Sequence, residues 1–346
     1  MIKVVLADDS ALTRAVVRDI FSATPDISVV GEAENGRDAV ALTELLKPDL
    51  VIMDLLMPVM DGLASIEEIM DRCPTPILVL SATVDEREVS QAFSAIRKGA
   101  LDVMEKPAGT GLVNNCGFGN RLVEKTRLLA RIRVIHHRRR RVREELPLKI
   151  AYHTGELKIL AIGASTGGPK AVMSIVRTLP ADFAASVLIV QHIATGFAKG
   201  FVHWLNSESR MQVRLAADGD PVAAGGVLVA PNDCHMVVES GRIRLTADPP
   251  VNCCRPSIDV LFHSLAEEFG AQTVGVLLTG MGRDGARGLL HIKAQGGVTI
   301  VQDEESSAVF GMPKAAIGLN AADEVLPLTG IPTAVARHFS LSRQAG

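Results

Sequence analysis

Leu50-Val51-Ile52-Met53-Asp54-Leu55-Leu56-Met57-Pro58-Val59-Met60-Asp61-Gly62 decides the fold of the first third of the chain. A wholly apolar run ends on a carboxylate, Pro58 breaks the chain, and helix-period sequence resumes at Gly62. A strand with no polar face belongs to a parallel sheet covered on both sides. The pattern repeats outward, with strands expected at 4–7, 28–30, 50–53, 77–80 and 102–105 and helices at 11–22, 36–46, 62–72 and 86–98. Five such βα repeats predict an α/β domain over residues 1–107 with a doubly wound, five-stranded parallel sheet.

A second alternation starts at about residue 158, with strands expected at 159–162, 187–190, 212–216, 226–229, 236–239, 273–278 and 298–301. Helices are expected at 170–178, 258–268, 285–294 and 312–318, and a hairpin over 236–245 turning on Ser240-Gly241. Residues 157–346 thus predict a second doubly wound α/β domain with a mainly parallel sheet. Residues 108–156 read as a basic linker: 121–149 hold eleven Lys and Arg against three Glu, whereas 1–107 hold ten against nineteen acids. No internal repeat interrupts this two-domain organisation.

The 346 residues are 47% hydrophobic and 22% charged, enough to bury two cores and too apolar for general disorder. A net charge of −3 gives no field for nucleic acid. The run Arg138–Arg143 is expected to be solvated linker, because no helix-turn-helix unit accompanies it. The cysteines Cys73, Cys116, Cys234, Cys253 and Cys254 are odd in number and lack zinc-type spacing, so reduced thiols and a cytoplasmic protein are expected. The first residues lack a signal-peptide pattern, and no apolar run nears the roughly 18 residues of a membrane span, so no membrane insertion is expected.

In a doubly wound sheet, ligands bind at the carboxyl ends of the strands. Asp8 and Asp9 close the first strand, Asp54 the third, Ser81 the fourth and Lys106 the fifth. Converging carboxylates call for a hard divalent cation, and a nearby lysine and hydroxyl suit a phosphoryl group. In the second domain, Gly163-Ala164-Ser165-Thr166-Gly167 fits G-x-S-x-G, a sharp turn that exposes a nucleophilic serine. As a bare pattern it serves equally as an anion cradle at a helix start. The spelling excludes two versions of that cradle: Pro169 replaces a Walker lysine, and Ser165 replaces a dinucleotide-binding glycine. His192 ends the next strand and is a candidate base; Asp284 follows the strand at 273–278, either to orient that imidazole or to cap the helix from Gly285.

Residues 1–107 resemble the receiver domain of two-component response regulators, through Asp8-Asp9-Ser10, the stretch from Asp54 to Gly62, Ser81-Ala82 and Lys106-Pro107. The resemblance implies a flavodoxin-like fold, Asp54 as phosphoryl acceptor, Mg²⁺ held by Asp8, Asp9 and Asp54 with the Leu56 carbonyl, and Ser81 and Lys106 on the phosphoryl oxygens. Val103 stands where an aromatic residue is common. With Gln191-His192, Ala230-Pro231-Asn232-Asp233, Arg255-Pro256-Ser257-Ile258-Asp259 and Phe310-Gly311-Met312-Pro313, the whole chain resembles the chemotaxis protein-glutamate methylesterases of CheB type. Cys254 stands where a histidine is common before Arg-Pro.

That resemblance implies a hydrolase that removes methyl esters from glutamate side chains of chemoreceptor cytoplasmic domains and deamidates receptor glutamines. It implies Ser165, His192 and Asp284 as a triad, Thr166 and Met281 at the oxyanion, and no cofactor in the catalytic domain. A receptor-coupled histidine kinase would be the phosphodonor, and the receiver would inhibit by packing over the catalytic cleft until phosphorylated. His192 as base predicts activity that rises with pH and levels off near or somewhat above about 6.5.

Overall fold

The computed structural model describes residues 1–81, 86–106, 116–132, 134 and 158–340. Two compact units divide the chain, Met1–Arg143 and Glu144–Gly346. The basic run, Pro107, the domain boundaries expected at 107 and 156, and the tail from 341 lie outside the described residues.

The first unit runs β1 (Ile2–Ala7), α1 (Ala11–Ser22), β2 (Ile27–Ala33), α2 (Gly36–Leu46), β3 (Leu50–Asp54), α3 (Gly62–Arg72), β4 (Ile77–Ser81), α4 (Glu86–Lys98), β5 (Asp102–Glu105) and α5 (Cys116–Leu129). Its sheet has the order β2-β1-β3-β4-β5, with every pairing parallel. Short polar side chains start the helices. Ser10, Asn35 and Asp61 accept from the N–H groups of Thr13, Asp38 and Ala64. Gly62 is required by close approach, since a Cβ there would lie 2.1 Å from the Asp54 carbonyl oxygen. Its absence lets α3 start directly against the end of β3.

One element departs from expectation. Helix α5 lies in the stretch expected as linker, yet Phe118, Leu122 and Leu129 are buried with Val4, Leu6, Leu50 and Ile52. The glycine-rich break after Lys106 sets this helix-like stretch apart from the five repeats, but its apolar stripe covers one face of the first sheet.

The second unit runs β6 (Lys158–Ala164), α6 (Gly168–Val176), β7 (Ala185–Gln191), α7 (Ala198–Glu208), β8 (Gln212–Leu215), β9 (Gly226–Val229), β10 (His235–Glu239), β11 (Arg242–Thr246), α8 (Ile258–Phe269), β12 (Thr273–Leu277), α9 (Ala286–Ala294), β13 (Val298–Gln302), α10 (Met312–Gly318), β14 (Glu324–Leu326) and α11 (Ile331–Ser340). The seven-stranded sheet β14-β13-β12-β6-β7-β9-β8 is parallel at every pairing. Strands β10 and β11 form the expected separate antiparallel hairpin, with positive φ at Ser240 and Gly241 as a two-residue turn demands. Sequence patterning did not reveal α7, α11 or the three-residue β14. The chain leaves β6 toward β7 on one side and returns as β12 on the other, so the carboxyl end of β6 is a topological switch point. Among the described residues no helix is long and apolar enough to cross a membrane.

Candidate active site and phosphoacceptor site

At the switch point of the first sheet, Asp8 and Asp54 are almost fully buried. Lys106 Nζ lies 2.8 Å from Asp8 Oδ2 and 2.9 Å from Asp54 Oδ2. The Lys106 N–H donates to the Ser81 carbonyl, tying the ends of β5 and β4 together. Oxygen atoms of Asp8, Asp9 and Asp54 lie within 4.8 Å of one another, an all-oxygen set that fits Mg²⁺. A cavity of about 280 Å³ opens beside them, lined by Asp9, Asp54, Leu56, Ser81 and Lys106. All five expected polar side chains therefore meet in one place.

Burial pushes the Asp54 carboxyl up to about 6, against the Lys106 ammonium, which pulls it down. Two contributors escaped sequence reading. Gln91 of α4 also lines the cavity. Buried Arg14 donates to the Asp8 and Asp9 carbonyls at 2.7 and 3.3 Å, bracing the acidic turn from α1.

In the second sheet the carboxyl ends of β6, β7 and β12 lie side by side and carry Ser165, His192 and the loop to Asp284. The Ser165 N–H donates to the Thr279 carbonyl at 3.0 Å, and the His192 N–H to the Ala164 carbonyl at 2.9 Å. Gln191 Nε2 donates to both the Ser165 and His192 carbonyls, each at 2.8 Å. Gly167 (φ 75°) provides the left-handed bend that begins α6, and a Cβ on Gly168 would lie 2.2 Å from Gln191 Oε1. These contacts make the serine turn sharp and hold it between its neighbours.

Asp284 does not cap its own helix; α9 follows Gly285 without any side-chain cap. Its carboxylate instead sits at the amino end of α8, accepting from Ser257 Oγ at 2.7 Å and from the N–H groups of Ile258 and Asp259 at 2.6 and 3.2 Å. Asn252 Nδ2 donates at 2.9 Å, and His192 Nε2 lies 2.9 Å from Asp284 Oδ2. Burial opposes ionisation of Asp284, but the hydrogen bonds from His192, Asn252 and Ser257 hold it below the usual carboxylate range. Burial likewise disfavours a charged His192, yet Asp284 and Cys254 outweigh it and push the imidazole up to about 9. The expected base, near or somewhat above about 6.5, is thus shifted upward by these partners.

With Nε2 committed to Asp284, the basic nitrogen of neutral His192 is Nδ1. The hydroxyl of Ser165 hydrogen-bonds to neither ring nitrogen; Cys254 Sγ lies 3.7 Å from Nδ1. Catalytic hydrogen bonds are often loose before substrate arrives. The N–H groups of Thr166 and Met281 have no acceptor among the described residues and remain available to a ligand oxygen.

Residues 160–335 match the CheB methylesterase family, and residues 4–114 match the response regulator receiver domain. The chain is 46% identical over 336 residues to protein-glutamate methylesterase/protein-glutamine glutaminase 2 of Anaeromyxobacter dehalogenans, covering 96% of each protein. It belongs to the CheB methylesterase family. Protein-glutamate methylesterase/protein-glutamine glutaminase 4 of Geobacter metallireducens is also 46% identical, over 97% of this chain and 98% of that protein. The second unit is similar to the crystal structure of the Thermotoga maritima CheB methylesterase catalytic domain, with 38% identity, a TM-score of 0.51 and coverage of 53% of this chain and 99% of that one.

Asn252, Ser257, Asp259 and Gln191 shape this candidate site without having been assigned a role from sequence. Ser257-Ile258-Asp259 before an apolar run is a helix-start signal, but nothing in it names Asp284 as the partner. Gly280 is equally structural. A Cβ there would lie 2.7 Å from Ser165 Cβ and 2.5 Å from Met312 Sδ. Gly280→Ala is expected to displace Ser165 and lower ester turnover about a hundredfold, with a stability loss of about 1–3 kcal/mol. Turnover and thermal unfolding measured together check this; unchanged turnover would mean that the Ser165 turn tolerates displacement.

Proposed function

We propose that the protein is a phosphorylation-gated hydrolase that removes methyl esters from glutamate side chains of chemoreceptors. The observation that carries this reading is the Asp284–His192 pair beside a strand-end serine, with the Thr166 and Met281 amides unpaired among the described residues. His192 Nδ1 takes the Ser165 proton as Oγ attacks the side-chain ester carbonyl. Asp284 holds the Nε2–H and stabilises the imidazolium, and the two amides stabilise the oxyanion, each worth about 3–4 kcal/mol if well aligned. The tetrahedral adduct collapses, methoxide takes the proton from Nδ1, and methanol leaves. Water then attacks the acyl-enzyme, giving its proton to the same nitrogen, and Ser165 is released with a glutamate carboxylate as product. A glutamine side chain follows the same course with ammonia leaving, a harder step because an amide is a poorer electrophile. No cofactor enters this cycle.

The partners of this reading are methylated receptor cytoplasmic domains as substrate and the receptor-coupled histidine kinase as phosphodonor, all in the cytoplasm, with no nucleic acid. In the receiver, Asp54 accepts the phosphoryl group, and Lys106 and Ser81 hold its oxygens. Asp8, Asp9 and Asp54 would hold Mg²⁺, which supplies countercharge for the transfer. Phosphorylation favours one of two domain arrangements and thereby releases the hydrolase. Methanol release from methylated receptor tests the activity.

The gate has its own expected outcome. Because α5 belongs to the first unit, the informative truncation removes residues 1–143, not 1–107. The truncated enzyme is expected to be active without a phosphodonor, phosphorylated full-length protein to approach its rate, and Asp54→Ala to stay low in both conditions. Equal basal rates for truncated and full-length protein would show that the receiver does not inhibit.

A further inference from the structure

We propose that Cys254 and His192 form a binding site for a soft divalent cation, with Zn²⁺ as its representative, that silences the base of the hydrolase. Cys254 Sγ, a His192 ring nitrogen and an Asp284 carboxylate oxygen lie within 4.8 Å of one another. The 3.7 Å between Cys254 Sγ and His192 Nδ1 is close to the roughly 3.6 Å that separates sulfur and nitrogen ligands on a tetrahedral zinc. Asp284 engages the other ring nitrogen, the second-shell contact that metal-bound histidines usually make to fix the tautomer.

The sulfur is held in place. Asn252 (φ 51°) and Cys253 (φ 63°) form a two-residue left-handed turn, closed by reciprocal hydrogen bonds between Val251 and Cys254 at 3.1 and 2.9 Å. Asn252 Nδ2 anchors the turn to Asp259 at 2.8 Å and to Asp284 at 2.9 Å. The Cys254 sulfur also lies 3.5 Å from the Asn252 carbonyl, a second acceptor for the thiol proton. The positive φ at the non-glycine Cys253 is held by these anchors. Cys254 and His192 are both partly solvent-accessible, so water can complete the coordination.

On binding, Cys254 loses its thiol proton to solvent and neutral His192 gives the Nδ1 lone pair to the cation. That lone pair is the one the esterase reading assigns to the Ser165 proton, so occupancy and turnover exclude each other. The oxygen cluster of the receiver prefers harder ions, and excess Mg²⁺ keeps it apart from the measurement.

The inhibitory half of the proposal rests on the esterase reading; the binding half does not, and the experiment separates them. Full-length protein in excess Mg²⁺ is titrated with Co²⁺, and the sulfur-to-cobalt charge-transfer band reports thiolate ligation; Zn²⁺ is then added as competitor. The band is expected in wild type, Ser165→Ala and Cys253→Ser, lost in Cys254→Ser and Cys254→Ala, and about tenfold or more weaker in affinity in Asp284→Asn. Micromolar Zn²⁺ is expected to stop methanol release by wild type while leaving Cys254→Ser within about twofold of its own metal-free rate. A band that survives in Cys254→Ser and Cys254→Ala, or none in wild type, overturns the site. Equal zinc sensitivity of an active wild type and Cys254→Ser overturns the inhibition. A band in wild type without any methanol release under metal-free conditions would leave the cation site standing and remove the esterase reading.

Discussion

Ser165→Ala is expected to lower methanol release by about 10⁴-fold or more while leaving the fold intact. The hydroxyl makes no hydrogen bond among the described residues, so its removal leaves no buried group there unpaired. What fixes the turn is backbone: Ser165 N–H to Thr279, and Gln191 to the Ser165 carbonyl. The thermal midpoint should therefore stay close to wild type, as for a substitution worth within about 0.5 kcal/mol. Asp54 lies in the other compact unit and should still accept a phosphoryl group. Residual turnover within about tenfold of wild type would move the nucleophile elsewhere.

Asp284→Asn carries the second large effect, a fall of about 10³–10⁴-fold in turnover. An amide at this position can present its NH₂ to the ring and drive the proton onto Nδ1, the nitrogen that must stay basic. The substitution also removes the charge that raises His192. Wild-type activity should climb about tenfold per pH unit below neutrality and level off only near pH 9, the range to which Asp284 and Cys254 push the imidazole. In the asparagine variant the remaining activity should level off at lower pH. Stability should fall as well, because Ser257 Oγ and the Ile258 and Asp259 N–H groups all donate to the carboxylate. A pH–rate profile beside a thermal melt reads both. A variant with wild-type rate and an unmoved limb would make Asp284 a helix-end ligand alone.

The cluster proposed as phosphoacceptor was legible because each member ends a strand. Asp8, Asp9, Asp54, Ser81 and Lys106 follow apolar runs, and a parallel sheet places all such ends on one edge. The serine and histidine were legible for the same reason. Without the family resemblance, Asp284 was legible only as one of two alternatives: its local sequence reads as a cap for α9, and its donors come from the start of α8 and from Asn252. Those segments lie 25 to 32 positions away in sequence, a separation over which periodicity carries no distance information. The same limit hid Gly280, whose role is the space it leaves for Ser165, and the upward shift of His192, which depends on Cys254 and Asp284 brought from two separate segments. Helix α5 is legible as a helix-like stretch, but its place against the first sheet is not, because glycines detach it from the repeats it covers.

The central claim, an ester hydrolase held in check by its receiver, is tested most directly by methanol release from methylated chemoreceptor by the full-length protein, with and without a small-molecule phosphodonor and Mg²⁺. The expected result is slow release alone, marked acceleration with the phosphodonor, and no acceleration in Asp54→Ala. Release that is absent under both conditions, or equally fast in wild type and Asp54→Ala whatever the phosphodonor, would contradict it.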